Sequence, residues 1–187
     1  MTNTQMKKSN LILLIGFAVL VLLTMSFQLS VHRYIVKGKK EGIGAFIDQN
    51  RSLPPYSKIE ISGNIKVLFT QEHKASLKVK APESAMDSIM TMVKNNKLFI
   101  DKKVDIYGSD TITILISNPT LEELILNSKA SLEGTNMISG DQLNLNMKGR
   151  SELTIQLTYN LINCTKEPES ILNLQGDTRK INFLTTE

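Results

Sequence analysis

Three asparagines recur at intervals of nineteen residues near the end of this 187-residue chain: Asn144, Asn163 and Asn182. If they occupy successive strands of a parallel stack, their side chains stand about 4.8 Å apart and form a regular row of hydrogen-bond donors and acceptors. Such a row could bind a glycan or a peptide. It could equally satisfy itself as an amide ladder, so a binding role and a structural role are both open.

Acidic and basic residues in the same region raise a catalytic alternative. Some β-helical polysaccharide lyases use carboxylate clusters, often with calcium, and a basic proton acceptor. The candidates here are Arg150, Glu152, Glu167, Glu169, Asp177 and Arg179. The nineteen-residue interval, however, already places Arg150 opposite Glu169 as an ion pair between strands. It places Lys148 opposite Glu167 in the same way, so a lyase is the less favoured interpretation.

Other site chemistries find no pattern in the sequence. His32 and His73 lie far apart and belong to no Cys/His cluster with zinc spacing. Nucleophile-elbow, phosphate-loop and dinucleotide motifs are missing from the sequence. The single cysteine, Cys164, falls at an inward position and is expected to be a buried free thiol. We therefore expect no catalytic residue, no cofactor and no metal.

The apolar residues around the asparagines follow the same nineteen-residue interval. One predicted column contains Leu124, Leu143, Ile162 and Ile181, and a second contains Leu126, Leu145, Cys164 and Phe183. Stacked parallel strands produce such columns, because each strand buries its apolar edge only against the next. Gly134 breaks the pattern, which predicts a bulge or slip near residues 131–134. The last strand, near residues 181–184, leaves an open edge where a second copy or another partner could pair.

Upstream of the repeat, apolar and polar residues alternate over residues 58–61, 65–69 and 77–80, which predicts short strands. One helix is predicted after Pro82, ending near Asn95 and Asn96. Its apolar stripe is Met86, Ile89, Met90 and Val93. The predicted class is therefore all-β: a parallel β-helix-like repeat section preceded by a small β-rich cap with one helix.

Residues 11–31 contain no charge and no proline, and 21 residues make a helix of roughly 30 Å, the thickness of a bilayer core. We expect an N-terminal tail (1–10), a transmembrane signal anchor (11–31), a juxtamembrane linker (32–55) and a β domain (56–187). A cleaved signal peptide is the alternative, although the apolar stretch is long for one. Basic residues flank the segment on both sides, and their count after it favours a cytoplasmic domain.

The formal charge of +4 does not indicate a nucleic-acid partner. Six basic residues and no acidic ones lie in residues 1–40, whereas the remainder is slightly acidic with its charges interspersed. A nucleic-acid groove requires clustered positive charge. We therefore expect no nucleic-acid binding.

Several segments resemble the head GIN domain family of putative auto-transporter adhesins of the Bacteroidetes. Residues 59–67, with Gly63-Asn64-Ile65 at a Gly-x-Ile turn, are similar to its first strands. Residues 124–131 and 143–151 are similar to its repeated Leu-x-Leu-x-x-Ser-Gly-Ala-Ser segments. The resemblance implies an all-β protein with a right-handed, β-helix-like repeat, exported to the cell envelope and without an established enzymatic activity.

The favoured function is that of a membrane-anchored, extracytoplasmic domain that acts by binding, as an adhesin or an envelope scaffold. This places the chain in a bacterial inner membrane as a single-pass protein whose ligand is an envelope glycan or protein. A membrane-tethered regulatory module is the alternative if the domain faces the cytoplasm.

Overall fold

The structure is a computed structural model that describes residues 21, 22, 24–26, 28, 45–102 and 112–184. The chain divides into two units, Met1–Gly42 and Ile43–Glu187. The six described residues of the first unit are helical. In the part of the chain that the structure describes, no helix has the length and apolar character needed to cross a bilayer. The predicted tail and most of the predicted anchor at 11–31 lie outside the described residues.

The second unit is built almost entirely from strands, as the alternating sequence predicts. Its described strands are β1 Phe46–Arg51, β2 Lys58–Ile61, β3 Lys66–Gln71, β4 Ser76–Pro82, β5 Ile89–Lys94, β6 Lys97–Lys102, β7 Thr113–Asn118, β8 Glu123–Leu126, β9 Ser131–Met147, β10 Glu152–Lys166 and β11 Ile171–Leu184. A short 3-10 helix, Glu83–Ser88, joins β4 to β5. The all-β class is therefore confirmed.

The strands form one sheet in the order β1-β4-β7-β3-β9-β8-β2-β6-β5, with β10 beside β9 and β11 beside β10. The long strand β9 pairs with β3 near its start and with β8 near its end. Most of the ladders are parallel, and the antiparallel ones join β1 to β4, β4 to β7 and β5 to β6. Parallel neighbours bury one edge of each strand against the next.

The nineteen-residue register is present between β10 and β11 along their whole length. Ile162 pairs with Ile181 on β11 and with Leu143 on β9. The predicted irregularity lies in β9, where Glu133 pairs with Thr154 but Met137 already pairs with Gln156. This bulge adds two residues to that repeat.

The two added residues make part of the predicted column assignment wrong. Leu124 pairs with Leu145, not with the column of Leu143, and Leu126 pairs with Met147. The interval from β8 to β9 is thus twenty-one residues. One continuous apolar column runs across six strands through Leu98, Ile59, Leu124, Leu145, Cys164 and Phe183. All of its members except Phe183 are buried.

The helix predicted after Pro82 begins there, but it is a short 3-10 helix and does not extend to Asn95 and Asn96. The 3-10 helix ends at Ser88, and β5 then runs antiparallel to β6. The hairpin turn consists of Asn95 and Asn96, with φ values of 52° and 60°. Consecutive positive φ values belong to the type I′ turn that two-residue hairpins favour, and asparagine tolerates them. The apolar spacing therefore reflects a turn followed by a strand.

Arg51 on β1 caps the end of the short helix. Its guanidinium donates hydrogen bonds to the carbonyl oxygens of Met86 (3.2 Å) and Ile89 (2.7 Å). The same Met86 carbonyl accepts the backbone N–H of Ile89 in a tight turn. Two donors therefore share the Met86 carbonyl at the end of the helix. Strand β1 itself lies inside the segment 32–55 interpreted as a linker, so the sheet begins within that segment.

Candidate functional site

The structure brings the three predicted asparagines together as a hydrogen-bonded ladder. Asn182 Nδ2 donates to Asn163 Oδ1, and Asn163 Nδ2 donates to Asn144 Oδ1, each at 3.0 Å. Gln142 Nε2 also donates to Asn144 Oδ1, at 3.2 Å. The central amide of Asn163 is therefore occupied within the ladder at both of its atoms.

The two ends of the ladder differ from its centre. The amide nitrogen of Asn144 and the amide oxygen of Asn182 bond to no other described residue. Asn144 is exposed, and Asn182 lies on the edge strand β11. Any ligand that uses this ladder therefore meets it at a terminal amide.

Asn144 also lines a pocket of about 400 Å³ at the end of the ladder. The polar side chains of this pocket come from Lys58, Thr120, Glu122, Ser139, Asp141, Gln142 and Asn144. They supply an ammonium group, two carboxylates, two hydroxyls and two amides. We call this cavity the polar pocket, and its lining can exchange hydrogen bonds with a ligand rich in hydroxyl or amide groups.

Tyr159 packs against the buried side of the polar pocket. It is buried on β10, its hydroxyl donates to the carbonyl oxygen of Leu121 at 2.8 Å, and its ring lies against Gly140. Both Leu121 and Gly140 line the pocket. Burial raises the pKa of the Tyr159 hydroxyl well above its usual value, and the nearby Glu122 carboxylate adds to the effect. The phenol therefore stays neutral and acts as a fixed structural donor.

Asp141 is a site residue that the sequence reasoning missed. It accepts a hydrogen bond from Asn160 Nδ2 at 2.7 Å, across the same pair of strands as the ladder. Asp141 and Asn160 are also nineteen residues apart. A search of polar pairs at the repeat interval, and not only of asparagine triplets, would have found it.

A cluster of ions continues the ladder across β8, β2 and β6. Glu123 pairs with Asn144 in the β8–β9 register, and its carboxylate lies 2.6 Å from Lys97 Nζ and 4.0 Å from Lys58 Nζ. Glu60 lies 3.5 Å from Lys97 Nζ. Burial lowers the pKa of Lys97, but the Glu123 and Glu60 carboxylates more than offset this and raise it overall. One outward-facing column beside the polar pocket therefore has charged side chains on β6, β2 and β8 and asparagines on β9, β10 and β11.

The lyase candidates do not form a cluster. Arg150 and Glu169 make the predicted ion pair, at 3.4 Å, with about 70% of each side chain exposed. Glu167 accepts the backbone N–H of Gly149 at 2.7 Å. It makes no ion pair with Lys148 among the described residues, so that predicted pair is wrong. Within the described ranges, no three His, Cys, Asp or Glu side chains are grouped closely enough to hold a metal ion.

A second, less polar groove of about 300 Å³ lies on the β5–β6 hairpin. Met90, Met92, Phe99 and Ile100 line it, together with charged residues at its margin. Met92 is nearly half exposed. This groove shares no lining residue with the polar pocket.

Three solved structures share the fold. A putative adhesin from Bacteroides fragilis aligns with a TM-score of 0.69 at 22% identity, over 73% of this chain and 65% of that chain. A putative adhesin from Parabacteroides distasonis aligns at 0.60 and 13% identity, over 77% and 71%. A putative lipid binding protein from the same species aligns at 0.57 and 18%, over 77% and 68%.

The chain thus spans less than two thirds of the length of the Bacteroides fragilis protein. No curated protein matches it. The family described as "Putative auto-transporter adhesin, head GIN domain" matches residues 55–187, which include the polar pocket, the ladder and most of the sheet. On this match over most of its length, the chain belongs to the head GIN domain family of putative auto-transporter adhesins.

Proposed function

We propose that this protein is an adhesin-like binding module or scaffold of the cell envelope that holds its ligand in the polar pocket and performs no catalysis. The observation that carries the proposal is the double role of Asn144, which ends the amide ladder and lines the pocket. A preformed pocket with a few fixed polar groups is the usual form of a specific binding site.

The lining favours a polar, uncharged ligand such as a glycan hydroxyl cluster or a peptide backbone. Lys58 offers a positive charge, whereas Glu122 and Asp141 offer two negative ones. No aromatic ring is among the described lining residues, so recognition would rest on hydrogen bonds and not on stacking. Asp141 is held by Asn160 and Asn144 by Asn163, which reduces the entropy lost when a ligand binds.

A binding assay tests this site with one double variant and one control variant. The wild-type chain is applied to an array of bacterial envelope glycans and to immobilised envelope proteins. The double variant Asn144→Ser/Asn163→Ser should keep its fold and lose binding. Asn173→Ser is the matched control, because Asn173 makes a similar exposed amide contact with Thr154 away from the pocket. Equal binding by the double variant and wild type would remove the ladder from the site.

The anchoring belongs to the same proposal. The uncharged residues 11–31 would tether the chain to the inner membrane, with the β domain outside the cytoplasm. Alkaline phosphatase and, separately, green fluorescent protein fused after Glu187 test the orientation. Active phosphatase is the expected result. Fluorescence alone would place the domain in the cytoplasm and favour the alternative of a membrane-tethered regulatory module.

The form of the repeat also enters the proposal. The right-handed β-helix-like coil is supported by the parallel ladders of β9, β10 and β11 and by their nineteen-residue register. In such a coil, equivalent outward residues stand one above another. The row of asparagines would then be one of several polar rows on a regular surface.

A hydrophobic ligand is the second candidate, and the β5–β6 groove is the observation that favours it. Met90, Met92 and Phe99 offer adaptable apolar contacts of the kind that suit an acyl chain. A fluorescent fatty acid titrated into the protein tests this function. Met92→Lys should abolish its binding while leaving the polar pocket intact, and unchanged titration by this variant would exclude the groove.

A further inference from the structure

Strand β11 is an open edge of the sheet. It runs from Ile171 to Leu184 and pairs with β10 on one side, and no described strand pairs with its other side. Along its fourteen residues, the outer backbone N–H and C=O groups pair with no other strand in the part of the chain that the structure describes. A long unpaired edge is a template for another strand.

The side chains show that this edge lacks the cover that the inner strands have. In the apolar column shared by Leu145, Cys164 and Phe183, the first two are 2% and 0% exposed, whereas Phe183 is 66% exposed. Ile171 and Leu184 at the two ends of β11 are also more than half exposed. The column ends at the Phe183 ring, and no described strand lies beyond it.

The order of residues along β11 is complementary to itself. Apolar residues occupy both ends of the strand, and the charged ones lie in the middle at Asp177, Arg179 and Lys180. An antiparallel copy centred on Thr178 would place Asp177 opposite Arg179 of the second chain, and the two-fold axis would repeat this pair. A parallel copy in register would place like charges opposite one another.

We propose that β11 pairs antiparallel with β11 of a second copy of this chain, about a two-fold axis at Thr178. Such an interface is isologous, so one surface supplies both halves and the assembly closes as a dimer. In this register Leu172 of one chain lies opposite Leu184 of the other, and Phe183 lies opposite Asn173, so the second strand continues the sheet beyond the exposed end of the apolar column. The pairing extends the sheet without using the polar pocket.

Disulfide formation in the full chain tests this geometry. The chain is expressed in a bacterial host, and Thr178→Cys is oxidised with copper phenanthroline in isolated membranes. Residues opposite one another across a two-fold axis bring their Cα atoms within disulfide range. We expect a product of twice the 20.9 kDa chain mass. Wild type, whose Cys164 is buried, and Lys94→Cys on β5, another edge strand, are the controls.

A charge exchange separates the interface from effects on folding. Asp177→Arg in the Thr178→Cys background should lower the dimer yield at least about tenfold, because two pairs of like charges then meet. Asp177→Arg/Arg179→Asp should restore the yield, which also shows that the exchanged chain folds. Crosslinking no greater than that of Lys94→Cys, a yield unaffected by Asp177→Arg, no restoration, or a product of another mass would each overturn the proposal.

Discussion

Gly140 and Tyr159 lie directly opposite one another in the β9–β10 ladder, and the phenol ring fills the space that a side chain at position 140 would need. The hydroxyl of the same tyrosine reaches the carbonyl oxygen of Leu121. One residue pair therefore closes the bottom of the polar pocket and ties β10 to the segment that precedes β8.

Gly140→Ala should destabilise the fold, because its methyl group would overlap the Tyr159 ring. Overpacking of this kind costs about 1–3 kcal/mol. Urea unfolding followed by circular dichroism measures the change. Ser139→Ala, an exposed neighbour, is the control and should change the free energy of unfolding by less than about 0.5 kcal/mol. Equal stabilities for the two variants would show that the ring moves aside freely.

Removing the hydroxyl groups of two buried tyrosines should give opposite results. Tyr159→Phe leaves the Leu121 carbonyl without its donor and should cost about 1–3 kcal/mol. The Tyr56 hydroxyl is buried and bonds to no described residue, so Tyr56→Phe should be neutral or slightly stabilising. Thermal unfolding of both variants under the same conditions measures the difference. A larger loss for Tyr56→Phe would contradict this assignment of partners.

Alkaline pH should destabilise the protein. Burial raises the pKa of Tyr56 from 10.0 to about 12, and burial together with Glu122 also raises that of Tyr159. The folded state therefore holds these protons after the unfolded state has lost them. Stability is complete below about pH 10 and falls as pH rises above it, by up to about 1.4 kcal/mol per pH unit for each tyrosine.

Urea midpoints at pH 8, 9, 10 and 11 measure this dependence. Tyr56→Phe should flatten the fall between pH 10 and 11, because it removes one titrating group. The raised pKa of Lys97 acts in the same direction, since its proton is also held more tightly in the folded state. A variant as steep as wild type would show that Tyr56 ionises without unfolding.

The Cys164 thiol should be unreactive in the folded protein. It is buried in the apolar column, and burial raises its pKa, although Lys166 partly opposes the shift. Labelling with an aromatic disulfide reagent should be at least about a hundredfold slower in buffer than in 6 M urea, because the thiolate forms only when the strand opens. Rapid labelling in buffer would show that β10 opens locally at low cost.

The repeat allowed part of this fold to be predicted from the sequence. The nineteen-residue interval correctly predicted the pairing of β10 with β11, the Leu143–Ile162–Ile181 column and the asparagine row, because parallel strands that follow one another at a constant interval keep one register. It also located the bulge in β9. It assigned Leu124 and Leu126 to the wrong columns, because spacing along the sequence does not show how many residues a bulge adds.

The segment after Pro82 shows the opposite case. Its apolar spacing suits either a helix or a turn and strand, and local periodicity does not distinguish them. In the structure this segment is a turn and a strand. It contacts Arg51 from earlier in the chain and pairs with β6, which follows it. The polar pocket is similar, since Lys58, Glu122 and Asp141 become neighbours only when β2, β8 and β9 align.

The residue pattern alone establishes an all-β class, the long uncharged segment 11–31 and the row of asparagines, because each depends on order and spacing along the chain. Tertiary structure decides which atoms those asparagines use on one another, that Tyr159 closes a pocket beside Asn144, and that Phe183 ends its column uncovered. These features depend on contacts between strands far apart in sequence, and such contacts form only after each strand has found its neighbour.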